Sequence, residues 1–138
     1  TGVTSEEDID DATIEFGVIN QHVAGVEHRY TYSMIPTKGH FTFDGLTKFD
    51  HHSKSSSKYV FEDHVFISEV SFAPRTDSTD EDDGYLVTIS NDVKEKSSAC
   101  LLFDAKNIEY GPVCEIPLPH HICSGTHATW AQKNELTK

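Results

Sequence analysis

The stretch HHICSGTHATW, residues 120–130, places three histidines, a cysteine and a tryptophan in eleven positions. Neutral imidazole is the commonest side-chain ligand for transition metals, so metal coordination is the first chemistry to weigh. His127 is the leading candidate. It follows Gly125-Thr126 and precedes Ala128-Thr129-Trp130, and small neighbours let the backbone come close to a bound group. A lone histidine beside a tryptophan also fits a hydrogen-bonded structural residue, and spacing leaves both readings open. His120 and His121 are adjacent, so in a regular strand they point to opposite faces and cannot both hold one ion. The same holds for His51 and His52. His22, His28, His40 and His64 are scattered, with no HxH or HExxH spacing.

Two carboxylates stand apart from the other acidic residues. Glu15 in TIEFGVI and Glu69 in VFISEVSFAPR each sit between apolar residues of a predicted strand. Such a group either faces solvent or is buried with a partner. One suitable partner is the free N–H of a metal-bound imidazole. The acidic run Asp77–Asp83 lacks the register of a calcium loop and reads as a solvated loop. No GxSxG, P-loop or GxGxxG motif is present. Cys100, Cys114 and Cys123 form no CxxC and have no adjacent basic cluster to activate a thiolate.

The elements that must position these residues are strands. HRYTYSMI (28–35) reads as a strand with Tyr30 and Tyr32 on one face. HFTFDGLTKFDHHS (40–53) alternates around Asp44-Gly45, a hairpin signal. SKSSSK (53–58) reads as a polar turn, and 58–75 contains short strand-like runs. YLVTISNDV (85–93) and 98–110 read as two strands joined by KEKS, and 111–121 is held extended by three prolines. Apolar residues nowhere recur at helical spacing over three turns. The expected fold class is therefore all-β, with short antiparallel strands in meanders, as in a propeller or a small sandwich. No clean internal repeat is visible.

The 138 residues suffice for one domain, and 11 Lys+Arg against 23 Asp+Glu give a net charge of −12. That field repels a phosphate backbone, so nucleic acid is not an expected partner. Residues 1–12 read as an acidic arm or linker and carry no apolar run of a signal peptide. With no initiator methionine, the expectation is a piece of a longer chain. Free cysteines and the missing signal point to a cytoplasmic location.

Taken in order, IEFGVIN…HRYTYS, FDGLTKFD, FISEVSFAPR, DEDDGYLVTIS, LLFDAKNIEYGPVCEIPLP and SGTHATW resemble the C-terminal part of the carotenoid cleavage oxygenase family. That family includes carotenoid and lignostilbene dioxygenases and the retinal pigment epithelium isomerase. The resemblance runs from about Thr13 to Trp130. It implies the C-terminal blades of a seven-bladed β-propeller over residues 13–131, with 132–138 a tail. It further implies a non-haem Fe(II) held by four histidines. The activity implied is cleavage of a C=C bond of a carotenoid, apocarotenoid or stilbene with O2, giving two carbonyl products.

On this resemblance His127 matches the last iron ligand, Glu15 and Glu69 match carboxylates that orient ligand imidazoles, and Trp130 matches a terminal aromatic. Thr126 replaces the usual aromatic before the ligand, and Gly17 stands where a proline is usual. The other three ligands have no counterpart here. The resemblance thus implies that the rest of the same propeller chain is a partner, that any membrane contact lies outside this segment, and that the 138 residues alone are inactive. The alternative is a non-catalytic propeller remnant that binds without metal.

Overall fold

The computed structural model describes residues 2–6, 8, 11–123, 125, 127–133 and 136. Among the described residues nine strands follow one another: β1 (Glu15–Val18), β2 (Tyr30–Pro36), β3 (Phe43–Asp50), β4 (Ser55–Val60), β5 (Val65–Ile67), β6 (Ser71–Pro74), β7 (Gly84–Asp92), β8 (Ser97–Asp104) and β9 (Pro112–Pro117). The only helical turns among the described residues are 3₁₀, at Gln21–Val23 and Ile108–Tyr110.

Strands β1 to β4 form one antiparallel meander. Strands β5 and β6, both paired with β7, form the broken first strand of a second meander that continues through β8 to β9. A single bridge, Phe43 to Ile67, joins the two. The chain is thus all-β, and its two successive four-stranded units leave the sheet open, as in part of a propeller.

The core lies between the facing meanders. Tyr32 of β2 stacks on Phe72 of β6 at 5.7 Å, and Tyr59 of β4 meets Phe103 of β8 edge-on at 5.4 Å. Tyr32, Met34, Leu46, Ile67, Leu86, Phe103 and Ile108 are fully buried. The Tyr32 hydroxyl avoids a desolvation cost by donating to the Ala105 carbonyl at 3.1 Å. Strand β9 is an edge, which accommodates Pro112 and Pro117 because proline has no N–H to donate to a ladder.

Three local expectations are corrected. Asp44-Gly45 is not a turn but lies inside β3. A Cβ at Gly45 would stand 2.8 Å from the Tyr59 carbonyl oxygen and 2.9 Å from the Ile35 side chain, so glycine serves close strand approach. Ser55–Ser57, expected in a turn, belong to β4. Asp50 makes the turn earlier, accepting from the His52 and Ser53 N–H groups.

The acidic segment 77–83 is not merely solvated. Asp82 pairs with the nearly buried Lys48 ammonium at 2.8 Å, and the Glu81 carboxylate accepts the backbone N–H groups of Arg29 and Tyr30. Asp83 pairs with Arg75 at 3.0 Å and Asp80 with Lys106 at 3.1 Å. This loop of the second meander fastens onto the first through partners distant in sequence.

Candidate metal centre

Glu15 and Glu69 occupy corresponding places. Glu15 opens β1, the first strand of the first meander. Glu69 lies at the break between β5 and β6, the first strand of the second. At β1 the register shifts between Glu15 and Val18, and Phe16 takes a left-handed φ of 53°. This bulge re-aims the strand. The Phe16 ring then stands edge-on to Phe43 at 5.6 Å and to Phe41 at 6.4 Å.

After β9 the chain returns along the second meander. Ile122 N–H donates to Ser98 Oγ at 3.0 Å, and Gly125 N–H donates to Ser68 Oγ at 3.0 Å. Ala128 N–H donates to Glu69 Oε2 at 2.6 Å, a short charge-assisted bond. These anchors bring His127 to Glu69, with Nδ1 3.4 Å from Oε2, at the outer edge of hydrogen-bond reach. Phe16 packs edge-on to the imidazole at 6.0 Å.

The Glu69 side chain is 15% exposed and that of His127 is 77% exposed. The imidazole is therefore held from one side by a half-buried carboxylate and is open on the other. Two cavities flank Glu69. One of about 260 Å³ is lined by Ser71, Ile89, Cys100, Ile122 and His127, and one of about 210 Å³ by Gly17, Val18, Val70, Phe72 and Ala128. Trp130 borders both.

The sequence-derived residues are not all brought together. Glu69 meets His127. Glu15 is exposed, and its side chain makes no hydrogen bond or ion pair among the described residues; its neighbour Phe16 makes the contact instead. Thr126 lies outside the described residues, and Gly17 lies near Thr31 and Ser33. His120 and His121 are exposed. Among the described residues, no three His, Cys, Asp or Glu side chains come together as a metal-holding group. Ser68, at the break between β5 and β6, and Ser98 of β8, which hold the returning segment, carry no sequence signal that marks them for it. Their roles arise only from where the chain returns.

The donor set fits one corner of a metal site. A carboxylate beside Nδ1 favours the tautomer that leaves Nε2 free to ligate. Further ligands would come from outside this sequence.

Residues 1–132 match the sequence signature of the family described as retinal pigment epithelial membrane protein. The chain belongs to this family. Its curated relatives include carotenoid 9,10(9',10')-cleavage dioxygenase 1 of Arabidopsis thaliana, 28% identical over 99% of this chain and 27% of the relative. They include apocarotenoid-15,15'-oxygenase of Synechocystis sp., 29% identical over 86% of this chain and 24% of that protein. They also include lignostilbene-alpha,beta-dioxygenase isozyme III of Sphingomonas paucimobilis, 27% identical over 70% of this chain and 20% of that protein.

A solved structure of cobalt-substituted Synechocystis apocarotenoid oxygenase superposes with a TM-score of 0.82 at 27% identity, covering 91% of this chain and 26% of that one. The chain thus spans about a quarter of the length of the curated relatives it matches. Among the described residues, no helix is long and apolar enough to cross a membrane.

Proposed function

We propose that this chain is the C-terminal part of a non-haem Fe(II) dioxygenase that cleaves a C=C bond of an apolar polyene or stilbene with O2, giving two carbonyl products. The observation that carries the reading is the Glu69–His127 arrangement at 3.4 Å, on a family whose relatives are named as dioxygenases of carotenoids and lignostilbenes. The cobalt-substituted relative is a second support, since it takes a divalent transition ion.

In this reading His127 Nε2 would hold Fe(II). The bound ion supplies activation of O2 at coordination positions left open by neutral imidazoles. The remaining work belongs to the chain itself. Glu69 Oε2 keeps the His127 proton on Nδ1 and, through the same atom, fixes the Ala128 amide, so ring orientation and backbone position are set together. Phe16 supports the ring from one side by edge contact. Glu15, at the corresponding place in the first meander, orients an imidazole supplied by the rest of the protein.

Since one imidazole cannot hold ferrous iron against water, the isolated chain is inactive. The test is iron content and turnover of an apocarotenoid or a stilbene by the longer protein carrying this sequence. We expect stoichiometric iron and aldehyde products, both lost in His127→Ala. Iron and turnover retained in a folded His127→Ala protein would overturn the assignment. A native protein lacking iron and activity would favour a binding remnant instead.

A further inference from the structure

A groove of about 410 Å³ opens between the two meanders, with one wall from each. Tyr59 of β4 and the following Phe61 form the first wall. Ala99 and Leu101 of β8, Pro117 of β9 and Leu118 form the second. Tyr59 and Phe61 stand perpendicular with ring centroids 5.0 Å apart, and both meet the buried Phe103, at 5.4 and 6.0 Å, so the core fixes the first wall. Ala99 and Leu101 are themselves buried. Both walls belong to this chain, so the groove does not wait on residues from the rest of the longer protein.

Negative charge surrounds these apolar walls. Glu62, Asp92 and Glu115 line the groove from the segment after β4, the end of β7 and β9, and among the described residues no lysine or arginine lines it. Glu115 breaks the apolar pattern. It stands opposite the buried Leu101 in the β8–β9 register, and residues directly opposite share a face of the sheet. It therefore lies on the face that packs toward the first meander, where an apolar residue would extend the core and close the groove. Its side chain makes no hydrogen bond or ion pair among the described residues. Asp92, accepting the Glu95 and Lys94 N–H groups, is held below the ordinary carboxylate range and stays ionised. His64 Nε2 lies 3.5 Å from Glu62 Oε2 and 3.6 Å from Asp92 Oδ2, and while that imidazole is neutral both charges stand uncancelled.

We propose that this groove binds a small organic cation, a molecule with an apolar body and one ammonium group. The body covers the apolar walls, and the nitrogen sits at the mouth among the three carboxylates. The volume is that of an ordinary small-molecule site. Aromatic rings and carboxylates both favour a cation close by. A neutral ligand would gain the walls without the charge, and an anion would be repelled, a preference that the chain's net charge of −12 reinforces at longer range.

The groove is separate from the candidate metal centre. Ala99 and Leu101 line it, whereas Cys100 lines the cavity beside His127. Successive residues of a strand face opposite sides, so β8 divides the two. The inference does not depend on the proposed dioxygenase function.

The experiment is a methyl NMR titration of the longer protein at neutral pH with three probes built on one phenylbutyl skeleton: phenylbutylammonium, phenylbutanol and phenylbutanoate. We expect the ammonium to give saturable shifts of the Ala99, Leu101 and Leu118 methyls and to leave Ile89 and Ile122, which line the cavity beside His127, unmoved. The alcohol should bind there about tenfold more weakly, and the carboxylate not at all. Glu115→Gln should weaken ammonium binding about fivefold, the scale of one well-placed exposed ion pair, and leave the alcohol unchanged. Glu62→Gln/Glu115→Gln should bring the ammonium close to the alcohol. Both glutamates are exposed, so their amide variants should fold. Alcohol binding as tight as the ammonium's, ammonium affinity unchanged in folded Glu62→Gln/Glu115→Gln, or no shift at the groove methyls would overturn the proposal.

Discussion

Replacing Glu69 separates two roles that its carboxylate fills at once. Oε2 accepts the Ala128 N–H at 2.6 Å and lies 3.4 Å from His127 Nδ1. In Glu69→Gln the amide oxygen can still accept from Ala128, so the returning segment stays in place while the charge that holds the His127 tautomer is gone. Loss of a carboxylate behind a ligand imidazole costs about 10- to 100-fold in metal affinity. The 77% exposure of His127 argues for the lower end, about tenfold, or ~1.4 kcal/mol. Glu69→Ala removes both roles. It should weaken metal binding at least as much and also speed hydrogen exchange at the Ala128 amide, which Glu69→Gln leaves largely protected.

The assay is a Co(II) titration of the longer protein, read by its visible absorption, with amide exchange measured on the same samples. Glu15→Gln is the contrasting variant, because the exposed Glu15 side chain makes no hydrogen bond or ion pair with the returning segment among the described residues. It should lower Co(II) affinity and leave Ala128 exchange unchanged. A Glu69→Ala protein that folds, binds Co(II) as tightly as the parent and keeps Ala128 protected would refute the reasoning.

Other outcomes follow from the packing. Asp82→Ala strands the Lys48 ammonium, only 9% exposed, with the Lys106 carbonyl and the Tyr30 ring as remaining partners. The expected loss is about 3 kcal/mol, seen as a lower urea midpoint at unchanged slope, with Lys48→Met/Asp82→Ala recovering most of it. Gly84→Ala places a Cβ 2.6 Å from the Ala73 carbonyl oxygen and 2.6 Å from Phe72, and backbone cannot yield as a side chain can. Its cost should be about 1–3 kcal/mol by the same assay.

Acid should destabilise in two steps. Burial depresses the His51 pKa, so below the ordinary histidine value of about 6.5 the unfolded chain takes up a proton that the folded one resists, and stability falls as pH falls. Asp50 beside Arg29, Asp83 beside Ser78 and Arg75, and Asp92 accepting from Glu95 and Lys94 N–H are all held below the ordinary carboxylate range. Their contribution is complete above about pH 4 and is lost as pH drops further. Thermal unfolding from pH 8 to 3 checks both; midpoints that stay flat down to pH 5 would contradict the His51 step.

The sequence by itself determined the fold class, because alternating apolar residues, frequent turns and the lack of helical spacing leave little but short strands. It also singled out Glu15, Glu69 and His127 as candidates, the carboxylates by their place between apolar residues and all three by the family resemblance, while leaving open whether each faces solvent or meets a partner. It did not reveal that the two meanders repeat one architecture. The repeat lies in strand pairing, and the segments around Glu15 and Glu69 share little beyond the glutamate, because different packing partners select different side chains.

Only the tertiary structure decided the rest. Asp44-Gly45 looks like a turn until the Tyr59 carbonyl is seen pressing on it. The Asp77–Asp83 run looks solvated until Lys48, Arg29 and Arg75 arrive from elsewhere in the chain. His28 and His51 look scattered until β2 and β3 pair and turn both rings toward Thr31. In each case the deciding contact depends on how strands pair and loops return, which local pattern does not show. Local pattern reports what a residue can do, and the register and packing of the strands set what it meets.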